Sequence, residues 1–242
     1  MKGYLLKLLQ VLLECIYPAR CPLCHDIIRP RGRLLCSKCK KDIKILKEPR
    51  CKKCSKAIDT LDEEYCFDCM HTQHYFTEGF AAFPYHRKMQ QSMMYFKFHG
   101  RKEYGNFYAE VLGHTAVDVL KRWQPDVLMP VPLYKRKQKE RGYNQAEVIG
   151  RVLSQRFSIP IRTDLIERVR YTKAQKELSN KERRKNLKNA FRVIGEVKEY
   201  NSVLMVDDIY TTGSTVDAIA KELKKGGVNH VFFITVCIGS GW

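Results

Sequence analysis

The chain has 242 residues, 44% of them hydrophobic, and a formal net charge of +18. That length allows one or two domains with a real core, and the apolar share is ordinary for a globular protein. No apolar run is long enough to cross a bilayer, and the charge favours anionic partners, nucleic acid or an anionic substrate, over a merely solvated lysine-rich surface only if a site supports it.

Residues 1–18 open with Leu5, Leu6, Leu8, Leu9, Val11, Leu12 and Leu13, interrupted by Lys7, Gln10 and Glu14. With no small-residue cleavage site after it, this stretch reads as a short amphipathic helix rather than a signal peptide, without stable membrane insertion, and the expected location is the cytoplasm. Cys15 falls on its apolar face.

Residues 19–75 carry four Cys-x-x-Cys pairs, Cys21/Cys24, Cys36/Cys39, Cys51/Cys54 and Cys66/Cys69, whose first members recur every 15 positions. Each pair presents two thiolates from one tight turn, so two pairs complete a tetrahedral Zn²⁺ site and eight thiolates make two closed, structural sites. A disulfide framework does not suit a chain without an export signal, and a redox function needs only one pair. Pro30, Gly32 and Pro49 favour sequential pairing, while a cross-braced arrangement stays open. His25, His71 and His74 flank a complete thiolate set and read as surface residues. So small a lysine-rich segment buries little apolar surface, and its folding is expected to need the metal.

Residues 76–242 alternate strands and helices. Phe80–Tyr85 reads as a strand, 87–98 and 103–123 as helices, 126–132 as a strand entering a loop, 143–157 as a helix, 203–206 as a buried strand, 216–225 as a helix closed by Gly226 and Gly227, and 228–238 as a last strand holding Cys237. That alternation predicts an α/β fold with a doubly wound, mostly parallel sheet. After the strand end at Val131-Pro132 come Lys135, Arg136, Lys137, Lys139 and Arg141, a basic loop suited to a pyrophosphate leaving group. The stretch from Arg168 to Arg192 is long, polar and basic, and reads as a lid.

The most informative run is Val203-Leu204-Met205-Val206-Asp207-Asp208-Ile209-Tyr210-Thr211-Thr212-Gly213-Ser214-Thr215. A buried strand delivers two acids to its carboxyl end, where open α/β sheets bind ligands. Gly213 lets the backbone approach, Thr211, Thr212, Ser214 and Thr215 offer hydroxyls, and the following helix start offers unpaired N–H groups to a phosphate. Neighbouring carboxylates suit vicinal sugar hydroxyls and a hard cation such as Mg²⁺. The run has no lysine of a Walker A loop, which argues against an ATP-binding P-loop.

This run resembles the 5-phosphoribosyl-1-pyrophosphate (PRPP) signature of the type I phosphoribosyltransferases. The resemblance implies that Asp207 and Asp208 contact the ribose hydroxyls and that Thr211 to Thr215 cradle the 5′-phosphate. An enzyme would also use Arg136, Lys137 and Arg141 on the pyrophosphate, with Mg²⁺ bound alongside PRPP. Thr211 stands where transferases of 6-oxopurines usually carry an aspartate, which counts against purine salvage.

Over nearly its whole length the chain resembles the ComF/GntX family of competence-associated proteins. The resemblance rests on the four cysteine pairs, Val131-Pro132-Leu133, Arg141-Gly142-Tyr143-Asn144-Gln145, Arg168 with Thr172 and Gln175, Arg183 with Asn186, Phe191, and Val206 through Thr215. It implies a double zinc ribbon with two structural Zn²⁺, a phosphoribosyltransferase-type domain, PRPP binding, and a role in natural transformation, helping single-stranded DNA into the cytoplasm beside a helicase-like partner. The alternative is an active phosphoribosyltransferase working in nucleobase salvage or on another small acceptor.

Overall fold

In a computed structural model, residues 17–30, 32–170, 187 and 189–239 are described. The expected N-terminal helix, Cys15, and the part of the expected lid at 171–186 and 188 lie outside them.

The described elements are α1 (Ser37–Asp42), α2 (Phe67–His71), β1 (Glu78–Pro84), α3 (Arg87–Phe98), α4 (Tyr104–Thr115), α5 (Val117–Trp123), β2 (Val127–Pro130), α6 (Lys135–Arg141), α7 (Gln145–Phe157), β3 (Ile166–Arg168), β4 (Phe191–Val193), β5 (Ser202–Tyr210), α8 (Ser214–Lys225) and β6 (His230–Ile238). Strands β1, β6, β5 and β2 form one parallel sheet in that order, and β3 pairs with β4 as a separate antiparallel hairpin. Leu128 also bridges Ile161 in parallel, which extends the sheet past β2.

Both faces of the sheet are covered. Phe80, Leu128, Leu204, Val206, Phe232 and Ile234 point to one face and pack on α3, α4, α5 and α7. Ala81, Val127, Met129, Val203, Met205 and Phe233 point to the other and pack on α8 and the β3–β4 hairpin. Alternation through the middle of the strands divides the two sets. Helix α3 buries Met89, Ser92, Met93 and Phe96, and α8 buries Val216, Ile219, Ala220 and Leu223, the spacing of a single helical stripe. Gly79 on β1 is obligatory, since a Cβ there would stand 2.0 Å from the Phe233 ring.

The connections fix where a ligand fits. From β2 the chain runs through α7 on one face to Ile161, outward from the sheet centre. From β5 it runs through α8 on the opposite face to β6, inward. Two crossovers diverging in this way open a crevice between the carboxyl ends of β2 and β5.

Three local readings need correction. The helix expected over 103–123 is two helices that meet at Ala116. The basic stretch after β2 is the helix α6, not a loop; its charges give it no apolar period, but Gly142 at φ 81° closes it cleanly. The two ends of the expected lid are strands, β3 and β4, paired through Ile166 with Val193 and Arg168 with Phe191.

Candidate functional site

The eight cysteines pair sequentially. Cys21, Cys24, Cys36 and Cys39 form one cluster, and Cys51, Cys54, Cys66 and Cys69 the other, with all sulfurs of a cluster within 4.8 Å of one another. Cys24 to Cys36 and Cys54 to Cys66 are each 3.6 Å apart. A tetrahedral ion with bonds of about 2.3 Å needs sulfurs roughly 3.8 Å apart, so both clusters fit Zn²⁺. Burial pushes the Cys39 thiol up to about 12, so a cation is needed to draw off its proton. The two clusters are copies of one unit. His25 and Ser55 stand at the same place after Cys21 and Cys51, each in the left-handed region, and each donates its N–H to the carbonyl of that cysteine. Arg20 bridges Ile27 as Arg50 bridges Ala57.

The second ribbon is fastened to β1. Leu46 N–H donates to the Ala82 carbonyl at 2.9 Å, Gly79 N–H to the Lys53 carbonyl at 2.9 Å, Ala81 N–H to Ser55 Oγ at 3.3 Å, and the Arg50 guanidinium to the Ala81 carbonyl at 3.0 Å. These bonds satisfy the outer edge of the parallel sheet. His74, read from the sequence as a surface residue, is buried, with a side chain 1% exposed. Its Nδ1 lies 2.6 Å from Asp217 Oδ2, and Tyr75 N–H donates to Asp217 Oδ1 at 2.9 Å. His25 is partly buried, its ring stacked 3.6 Å from that of Tyr95 and bonded to the Tyr104 hydroxyl, while His71 is exposed.

The crevice between β2 and β5 holds a cavity of about 320 Å³. Asp207, Asp208, Thr211 and Thr215 line it from β5 and α8, Val131 to Leu133 from the end of β2, Lys137 and Arg141 from α6, Arg168 from β3, and Lys97 from α3. Of the candidates read from sequence, Arg136 stands on the exposed side of α6, 2.8 Å from Glu140. Thr212 and Ser214 hydrogen-bond each other at 2.8 Å and do not line the cavity. Gly213 adopts φ 75° before α8. It has no side-chain cap bond, so the first-turn N–H groups of α8 are not taken up by a cap.

The run from Arg141 to Gln145 is an anchor. Tyr143 donates its hydroxyl to the Phe96 carbonyl, and Asn144 Nδ2 donates to the Val131 carbonyl at 3.0 Å while its Oδ1 accepts from Ala146 N–H at 3.1 Å. Arg141 donates to Gln145 and lies 5.2 Å over the Phe98 ring. The strand end, α6, α7 and α3 are thereby tied at one point.

Charge in the cavity is unbalanced. Burial, and next the Asp208 carboxylate, raise Asp207 to about 7. Burial, then Arg168 and Arg141, lower the Lys137 ammonium from its ordinary value, and burial lowers Arg141 and Arg168 while Asp208 and Asp207 respectively act against it. Two guanidinium groups pressing on the Lys137 ammonium in a shielded cavity make a field that favours an anion. Lys97 was not read from the sequence: its Nζ stands 2.8 Å from Asp208 Oδ2. For the same reason the acid pair does not fit a divalent cation of its own, because one of the oxygens such an ion needs already holds an ammonium group.

The double zinc ribbon domain family matches residues 12–70. Competence protein F of Haemophilus influenzae is 45% identical over 109 residues, 44% of this chain and 48% of that protein. DNA utilization protein YhgH of Escherichia coli O157:H7 is 40% identical over 113 residues, 47% and 49% of the two chains. Competence protein ComFC of Bacillus subtilis is 27% identical over 150 residues, 61% and 58%. The chain thus spans about half the length of the first two relatives. Among solved structures, a purine phosphoribosyltransferase from Pyrococcus horikoshii aligns with TM-score 0.35 and 19% identity, over 56% of this chain and 73% of that one. A hypoxanthine phosphoribosyltransferase from Staphylococcus aureus aligns with TM-score 0.36 and 15% identity, over 54% and 62%.

Proposed function

From the premise that the chain belongs with the ComF family of competence proteins, we propose that it binds PRPP in the crevice between β2 and β5 and serves in the handling of incoming single-stranded DNA. The observation that carries the ligand is the convergence in one cavity of Asp207 and Asp208 with Thr211, Thr215, Lys137, Arg141 and Arg168. The acids suit the hydroxyls of a pentose. The uncapped start of α8 and the Thr211 and Thr215 hydroxyls suit its 5′-phosphate. Lys137, Arg141 and Arg168 suit the diphosphate on the other side of the ring. The two relatives named for competence support the DNA role, as does the one named for DNA utilization. A helicase-like partner belongs to that same reading, as does a cytoplasmic place of action; among the described residues no helix is long and apolar enough to cross a membrane.

Titration calorimetry tests the ligand. Wild-type protein should bind PRPP, in the presence of Mg²⁺, and Asp207→Asn with Asp208→Asn should lower the affinity by about tenfold or more, the loss expected for about 1.4 kcal/mol of hydrogen bonding to charged groups. Equal affinity of the two proteins removes the acids from the site. A second reading, transfer of the phosphoribosyl group to a small acceptor, is favoured by Asp207, since a carboxyl held near 7 exchanges protons at neutral pH. Pyrophosphate release with an acceptor, measured on the same preparation, separates turnover from retention.

A further inference from the structure

The Lys97–Asp208 contact has no place in the sugar-phosphate reading as it stands. Lys97 comes from α3 and Asp208 from β5, and the Lys97 side chain is 21% exposed against 13% for Asp208. Removal from solvent on this scale makes the pair expensive to break on one side only, since the abandoned charge has little water to turn to. Asp208 is also held in place from behind: its N–H donates to Asp207 Oδ1 at 2.8 Å.

The cavity walls add to this. Lys97, Lys137, Arg141 and Arg168 are its cations, and Asp207 and Asp208 are its only carboxylates among the described residues. A hard divalent ion takes about six oxygens and keeps those of carboxylates or phosphates most firmly. Here it would enter a cavity with more positive than negative groups and would have to displace an ammonium from the better of two acids.

We propose that Lys97 is the resident counter-cation of Asp208 and that it excludes a free divalent cation from the acid pair. This deepens the sugar-phosphate reading of the same cavity but does not depend on it. In the ligand-free protein Lys97 keeps Asp208 neutralised and oriented. When a polyphosphate occupies the cavity, the ammonium has a second anion within the same walls.

The test uses the zinc-loaded full chain and Mn²⁺ alone, with free Mn²⁺ followed by electron paramagnetic resonance at pH 8, where Asp207 is ionised. Wild type should show no Mn²⁺ site sensitive to Asp208→Asn. Lys97→Met should gain one such site, about tenfold or more tighter than any in wild type, because a repelling charge has been removed from beside the carboxylate. The double variant Lys97→Met with Asp208→Asn should lose it. Lys97→Gln, which keeps a polar side chain at the position, should gain the site too and guards against a misfolded Met variant. A wild-type site abolished by Asp208→Asn overturns the inference, and so does the absence of any gain in both Lys97 variants. The titration contains no sugar phosphate, so failure to bind PRPP and failure of this inference are separate results.

Discussion

Gly213→Ala puts the phosphate-loop geometry under direct stress. Gly213 adopts φ 75°, and an alanine there takes on the left-handed penalty of about 1–2 kcal/mol. Its Cβ would also stand 2.6 Å from Tyr210 Oη and 3.1 Å from Tyr210 Cζ. Tyr210 is poorly placed to yield. It is 3% exposed, stacks on Phe233 with centroids 4.7 Å apart and planes at 1°, and meets Phe76 edge-on at 6.2 Å. Forcing a methyl into such a packed contact costs a further ~1–3 kcal/mol. The total of roughly 2–5 kcal/mol is divided between lost stability and a displaced loop, with a melting shift of about 2–4 °C per kcal/mol for a chain of this size. Thermal unfolding followed by circular dichroism reads the first share, and PRPP calorimetry reads the second. Tyr210→Phe removes the closest atom. On that background Gly213→Ala should cost less than on wild type, with a coupling of about 1 kcal/mol in the double-mutant cycle. Full stability and full affinity in Gly213→Ala would refute the argument, and additive effects of the two substitutions would refute the contact behind it.

Two further outcomes follow from the charges and the metal clusters. Asp207 is held near 7, well above the value of about 3.9 for an unfolded chain, so between pH 4 and 7 the folded protein retains a proton that the unfolded chain has released. Stability lent by that carboxyl is present at low pH and lost as pH rises through 7. Asp207→Asn should therefore melt higher relative to wild type at pH 8 than at pH 5, and a constant difference contradicts the raised value. Stripping zinc with a chelator should both unfold the ribbons and free the β1 edge held by Leu46, Lys53, Ser55 and Arg50. Light scattering should rise on chelation, and a protein that stays monodisperse shows that the ribbon is dispensable for the edge.

What could be read from the residues, and what could not, divides by range. The cysteine pairs are complete within a short stretch, so two four-thiolate clusters were legible, and only the fold settled that they pair in sequence order. Helix α3 was legible to the residue, because its apolar stripe lies between the breakers Pro84 and Gly100. Asp207 and Asp208 announced themselves by following the buried apolar run Val203–Val206 within β5. Lys97 did not, because nothing near it in the chain is acidic, and only the packing of α3 beside the crevice brings it to Asp208. His74 looked solvated for a similar reason, since its partner Asp217 lies 143 residues away. Helix α6 escaped because seven residues with six charges carry no apolar rhythm; its helix is set by the turn at Gly142 and the anchor at Asn144.

The bonds between the second ribbon and β1 join segments that a ribosome makes in a fixed order. The cysteine-bearing stretch emerges first, and β1 follows within a few residues of Cys69. Chains fold from the end that appears first. A ribbon that has already captured its ion is therefore waiting when the sheet's outermost strand is synthesised, and that strand passes directly onto a finished surface. The β6 strand that pairs with its other side comes last. For as long as translation takes to reach it, the metal-built clasp is what holds the edge of β1, so the yield of folded chain is expected to follow the supply of zinc at the moment of synthesis.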